Sequence, residues 1–519
     1  MYMANVSSPL QKSVRSTDPI HLVTQFYIPK TADRYEEVKE ALRRNVANAK
    51  IDSILLLNEK MYTHEELGVK SSKIQQVLIS NRVQFSDLFL PRKKGFLWVA
   101  NADIFADDTI DRVRSCGMDT SKRVLALLRY EFTNQDLAQC PLFGPRADSN
   151  DSWIVHTNHL LPLSLFKFEL GRPGCDNKLN YIFDLLGYEV CNDPAAVRTY
   201  HCHADTARAY GLEPVPPPYF YIAPVGGCPM FGVPFETVKP MLEVYRLREG
   251  NAMLFAYIKS QKRNFIVPRV AGIENNAAFR MTTLSEQEIH VLKNNAGILL
   301  GTKEDQLAFS EEYVRAFQLS EVYASWEPWG HYYNHIRHSQ PMLQKAAPKP
   351  QFSTGVFDIF HFVSTGNPWT RALAGKKLLI ISPFVDLMAK QTKVYPIDLF
   401  PNCTFVYLKP PMTQGDEPNR GWIEEFAAFC AEVKKVDFEV ALCSCGGYGN
   451  PLCAYIYSLG KSAIYVGGVL QMYFGIYGSR WIKERKEVLS LYLNTNWVRP
   501  SKEQFRPKGF EKIENGCYW

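Results

Sequence analysis

Short apolar runs alternate with amphipathic stretches along most of this chain. Residues 21–28 read as a buried strand closed by Pro29. The next stretch sets Tyr35, Val38, Leu42 and Val46 on one helical face, with Asp33 and Glu36 spaced as a capping box. Residues 51–57 are again of buried-strand character. Strand, helix, strand with short links predicts a βαβ unit, and such units build parallel sheets covered by helices. The rhythm continues with strands at 77–80, 95–100 and 124–129 and an extended segment at 198–203.

Residues 214–218 and 226–234 are rich in Pro and Gly and read as a linker. Past them, helices are expected at 240–249, with Pro240 in the first position, and at 284–294, and a loop at 344–351. A second α/β series follows: strands at 377–383, 404–409, 438–444 and 462–466, and a helix at 420–435. Asn450, Pro451 and Gly460 delimit one more helix as N-cap, first position and stop. The fold class is therefore α/β, with a flexible leader at 1–18, domains at 19–215 and 250–519, and a linker with a connecting helix at 216–249.

At 519 residues the chain exceeds one hydrophobic core, in keeping with that division. The net charge of +6 is spread among interspersed acids and bases, so no basic face for nucleic acid is expected. Twelve scattered Cys in so long a chain do not make a stapled secreted module. There is no apolar leader and no run of membrane-spanning length, so a cytoplasmic protein without a transmembrane segment is expected.

The apolar run 96–104 carries Asn101-Ala102-Asp103. Parallel sheets bind ligands beyond the carboxyl ends of their strands. Two oxygen-bearing side chains one residue apart point the same way and can share a hard cation, which neutralises a diphosphate. Asn and Asp also favour turns, so a polar strand end explains the tripeptide equally well. Asp151 precedes another apolar stretch, and FELGRPGCDN (168–177) opens a helix with Asp176 or Asn177 at its start. A plain N-cap accounts for Asp176 just as simply. His201 and His203 share one side of an extended segment but supply half of a usual metal shell.

In order, the segment 25–48, NADI, LLRYE, DSWIV, FELGRPGCDN, a short strand at 187–190 and HCH resemble the GT-A glycosyltransferases over residues 19–215. The resemblance is closer to bacterial and large-virus members with the F-x-LG-x-PGCDN element. It implies a Rossmann-like, mostly parallel sheet, a nucleotide-diphosphate sugar as donor, a glycan or glycoprotein as acceptor, and Mn²⁺ or Mg²⁺. By position, Asn101 and Asp103 match the DxD element with Asn in the first place, which leaves Asp103 as metal ligand, completed by His203 or His201. Gln25 and Glu59 fall where the fold cradles base and ribose. Asp151 and Trp153 fall on the acceptor-facing loop, and Asp176 at the catalytic base of inverting members.

In the second half, the strand 438–444 runs into Cys445-Gly446-Gly447-Tyr448-Gly449 and a helix start, a geometry that meets anions with backbone N–H groups. A glycine turn needed only for packing has the same signature. Together with 268–274, 378–384 and GGVLQMYFGIYGSRW (467–481), it resembles the GT-D-type glycosyltransferase-like domains over residues 250–519. That resemblance implies a sugar-nucleotide pocket drawn from Arg269, Glu274, Ser382, Tyr448, Gln471 and Arg480. Of the early acidic pair only Glu274 survives, with Gly272 at the other position. The expectation is a glycosyltransferase with a second transferase in its C-terminal half; the alternative makes that half a non-catalytic glycan-binding module.

Overall fold

The computed structural model describes residues 15–90, 92–144, 146–202, 213–216, 219–222, 224, 247–326, 333–358, 367–394, 399–500 and 506–519. The chain forms two compact units, Met1–Leu242 and Glu243–Trp519, divided inside the expected linker. Among the described residues no helix is long and apolar enough to cross a membrane. No disulfide joins any two of the described cysteines.

The first unit opens with β1 (Ile20–Thr24), α1 (Ala32–Ala47), β2 (Ser53–Asn58), β3 (Ile74–Leu78) and β4 (Phe96–Ala100). It continues through β5 (Ile104–Ala106), β6 (Arg123–Leu127), β7 (Tyr130–Glu131), β8 (Ser152–His156), α2 (Cys175–Leu185), β9 (Glu189–Cys191) and β10 (Thr199–His201). The main sheet has the order β3-β2-β1-β4-β8-β6-β9. It is parallel except for β8, which runs antiparallel to β4 and β6. β1 and β4 lie at its centre and are buried along their whole length, which is why IHLVT and FLWVA are nearly unbroken apolar runs.

From β1 the chain moves outward to β3 and then crosses to β4 on the other flank of β1, so the order reverses between β1 and β4. The carboxyl ends of those two strands frame the crevice where such sheets bind ligands. Thr24 Oγ1 ties them by donating to the Ala100 carbonyl at 2.8 Å. A small sheet, β5-β10-β7, sets His201 opposite Ile104 on one side and Glu131 on the other.

Two local expectations fail here. Thr31, not Asp33, is the N-cap of α1, and Asp33 sits inside the first turn, so no capping box forms. Residues 1–14 of the expected leader lie outside the described residues, but its end is held: Ser16 N–H donates to the Arg114 carbonyl at 2.7 Å, and Asp18 pairs with His156 at 3.0 Å.

The second unit contains α3 (Leu247–Ser260), β11 (Ile266–Val267), α4 (Gly272–Ala278), α5 (Lys303–Leu319), β12 (Tyr323–Ser325) and β13 (Gln351–Ser353). Then come β14 (Lys377–Ile381), β15 (Thr404–Leu408), α6 (Trp422–Lys434), β16 (Val440–Cys443), α7 (Gly449–Ser458), β17 (Ser462–Tyr465) and α8 (Ser479–Glu484). Its five-stranded sheet, β11-β17-β16-β14-β15, is parallel throughout. The order reverses between β14 and β16, and their carboxyl ends lead into residues 382–384 and 444–446. Phe309, Tyr313 and Phe317 of α5 pack with Trp422, Phe426 and Phe429 of α6 in the core beside the sheet.

Of the helix expected at 240–249, residues 240–246 lie outside the described residues and the rest belongs to α3. The loop expected at 344–351 is shorter, because a helix runs to Ala346 and Gln351 opens β13. α7 starts at Gly449, which puts Asn450 inside the helix and frees its side chain for the backbone of Arg269.

Candidate functional site

In the first unit, the reversal point carries a buried chain of charges. The Asp103 Oδ2 atom accepts from His201 Nε2 at 3.0 Å and from the Arg34 guanidinium. Arg34 also binds Glu37 at 2.6 Å. The other ring nitrogen of His201 faces Glu131 Oε2 at 3.4 Å. Glu131 accepts from Arg129 at 3.0 Å, Arg129 donates to Asp151 at 2.6 Å, and Asp151 accepts from Asn101 Nδ2 at 3.0 Å. Asn101, Asp103, Asp151 and His201, chosen from the sequence, are thus joined by Arg34, Arg129 and Glu131, which were not.

Burial alone would push the Asp103 carboxyl up, but the imidazole of His201 and then Arg34 outweigh it and hold the group well below the usual carboxylate range. For His201, burial favours the neutral ring, yet the charge and hydrogen bond of Asp103, with Glu131 behind them, raise it to about 9. With a carboxylate on each nitrogen the ring is an imidazolium at neutral pH, and it neutralises Asp103. His203, the other expected ligand, lies outside the described residues.

Among the described residues no three His, Cys, Asp or Glu side chains gather as a metal-binding group. One buried oxygen does fit a hard cation: Asp103 Oδ1 has no hydrogen-bond partner. Small hard ions such as Mg²⁺ commonly take one or two carboxylates and complete their shell with water and substrate phosphate oxygens.

Asp176 lies in the first turn of α2, after Gly174 as N-cap. Its carboxylate accepts from Asn150 N–H and from Asn177 Nδ2, both at 3.2 Å. Burial raises it to about 7 and the negative charge of Asp151 adds to that, against the lowering effect of the backbone N–H groups of Asn177 and Asn150. A carboxyl poised at that value exchanges a proton at neutral pH. Gln25, just past β1, is half-buried, and Glu59, just past β2, is exposed. Trp153 is core rather than acceptor-facing: it is 1% exposed, its Nε1 donates to Asn180 at 3.2 Å, and its ring meets Phe85 edge-on.

In the second unit a cavity of about 560 Å³ opens at the reversal point, lined by Arg269, Glu274, Tyr448, Gln471 and Arg480 among others. Five of the six residues expected there are in its wall. Ser382 is the exception: it is fully buried, and its Oγ accepts from Phe384 N–H at 3.2 Å, turning the strand end so that Pro383 and Phe384 face the cavity. Gln471 and Tyr448 buttress the wall, through the Tyr518 carbonyl at 3.4 Å and Thr413 Oγ1 at 3.4 Å.

The turn glycines answer the packing alternative raised above. A Cβ on Gly446, Gly447 or Gly449 would lie within 2.3–2.7 Å of Ala296, Ile298 or Tyr465 respectively. Packing alone thus requires them. Tyr518 and Trp519 also line the cavity, with the Arg480 guanidinium over the Tyr518 ring and the Trp519 carbonyl accepting from Ser479 N–H at 2.9 Å.

No family model matches this chain, and no curated protein matches it. Among solved structures, one described as a selenomethionine-substituted structure of domain of unknown function 1792 is similar over 49% of this chain and 96% of its own, at 10% identity and a TM-score of 0.27. A second, whose title states that the highly conserved domain of unknown function 1792 has a distinct glycosyltransferase fold, has the same coverage at 12% identity and a TM-score of 0.26.

Proposed function

We propose that the chain is a glycosyltransferase that moves a sugar from a nucleotide-diphosphate donor to a glycan or glycoconjugate acceptor. The observation that carries this reading is Asp176: a carboxyl raised to about 7 that feels the charge of Asp151, whose side chain is bonded to Asn101 at the sheet's reversal point. In the transfer step Asp176 takes the proton of an acceptor hydroxyl. That oxygen then bonds the anomeric carbon as the bond to the diphosphate oxygen breaks, and the nucleoside diphosphate leaves.

A divalent cation, when bound, would be held by Asp103 Oδ1 and would neutralise the donor diphosphate. The rest falls to the chain's own groups. Arg34 and the His201 imidazolium keep Asp103 ionised and fixed, and Arg129 keeps Asp151 fixed in turn. Gln25 and Glu59 are the candidates for base and ribose.

The cavity of the second unit supports a second nucleotide-sugar site and hence a bifunctional chain. Trp326, Tyr518 and Trp519 line the same cavity and suit a sugar ring, which favours the alternative that this unit only holds a glycan acceptor. Thermal-shift titration with a panel of nucleotide sugars tests the proposal. A donor that raises the melting temperature in proportion to the logarithm of its concentration supports it, and a panel without effect counts against it.

A further inference from the structure

The cavity of the second unit holds one guanidinium, that of Arg269, with no hydrogen bond or ion pair to a described residue, and the Glu274 carboxyl, which feels the charge of Arg269 and accepts from its own backbone N–H. Its other charges are matched. Arg480 is held by Glu514 and by the Tyr518 hydroxyl at 3.0 Å, and Arg485 faces Asp358 at 3.4 Å.

Arg269 is also built into place. Asn450 holds its backbone from both sides, accepting from its N–H at 3.0 Å and donating to its carbonyl at 2.8 Å. Its guanidinium lies over Gly467, where φ is +80° and a Cβ would come within 2.8 Å of Nη1. Its Nε is buried without a partner. A guanidinium held in place without a hydrogen-bonded counter-ion leaves its donors to a ligand that brings negative charge. Arginine's planar fork suits phosphate oxygens, and the cavity is of the size that encloses a small ligand.

We propose that Arg269 is the anion anchor of this cavity and takes the diphosphate of a nucleotide sugar without a bridging cation. The inference rests on the nucleotide-sugar reading above and specifies how this site balances charge. A hard cation would need several oxygen ligands. The carboxyl in the wall without an ion pair is Glu274, which burial raises to about 7, against its own backbone N–H and the charge of Arg269 and with the charge of Glu514 adding to the rise. Position 272, on the same turn, offers no side chain, and a Cβ there would meet the Trp326 ring at 2.6 Å. A cation would also face the repulsion of Arg269.

The test is calorimetric titration of the full-length protein with uridine, guanosine, adenosine and cytidine diphosphates, in EDTA and again with Mn²⁺. The expected result is binding of at least one of them in EDTA, weakened about tenfold or more in Arg269→Gln. Gly467→Ala should weaken it similarly without removing the charge, and Arg269→Lys should retain part of it. If Arg269→Gln does not fold, the other two variants carry the comparison. Binding that appears only with Mn²⁺, or that survives in EDTA in both Arg269→Gln and Gly467→Ala, overturns the anchor while leaving a nucleotide site. No binding under either condition overturns the nucleotide-sugar reading itself.

Discussion

His201 and Asp103, 98 residues apart in the chain, meet through Nε2 and Oδ2 at 3.0 Å, and Glu131 takes the other ring nitrogen. The first consequence is a pH-dependent stability. With the ring raised to about 9, its contribution is fully present below its unfolded value near 6.5 and is lost as pH rises through 9. A shift of that size corresponds to about 3 kcal/mol. Denaturant midpoints of the first unit's transition should therefore fall between pH 6.5 and 9.5 in the native chain. In His201→Gln that fall should be smaller, and an equal fall in both would refute the imidazolium.

Asp176 gives a pH dependence of opposite use. As the base it acts only when ionised, so kcat/KM should drop about tenfold per pH unit below 7. Asp176→Asn should lower kcat about 100-fold or more and abolish that limb, with donor affinity little changed. A variant that keeps the acidic limb would place the base elsewhere.

Asp103 separates metal binding from structure. Asp103→Ala leaves Arg34 and His201 without their shared counter-charge and should destabilise the first unit by about 3–5 kcal/mol. Asp103→Asn keeps the shape and should cost less stability while removing any dependence of transfer on Mn²⁺ or Mg²⁺. Activity of Asp103→Asn that still rises with Mn²⁺ would exclude Asp103 as the ligand.

Much of this was legible in the residues. Continuous apolar runs marked the parallel strands at the centre of each sheet, and the polar residues at their carboxyl ends gathered at the reversal points. What sequence spacing concealed was partnership across distance. Arg34 carries a hint, because a cation in the first turn of a helix opposes the helix dipole and calls for an acidic neighbour. Asn450 looked like an N-cap because its neighbours Pro451 and Gly460 fit one; its true partner is the backbone of Arg269, 181 residues earlier. The GG turn at 446–447 fits an anion loop and a packing turn alike in sequence, and close packing against Ala296 and Ile298 requires glycine there. Trp153 lies two residues from the candidate Asp151 and belongs to the core, because every residue of β8 is buried.

The central claim is sugar transfer from a nucleotide donor, and release of nucleoside diphosphate measures it most directly. Purified full-length protein, incubated with a panel of nucleotide sugars, glycan acceptors and Mn²⁺, should release the diphosphate of one donor, and Asp176→Asn should not. Release at the same rate by the native protein and Asp176→Asn, or no release from any donor in the panel, would contradict the account.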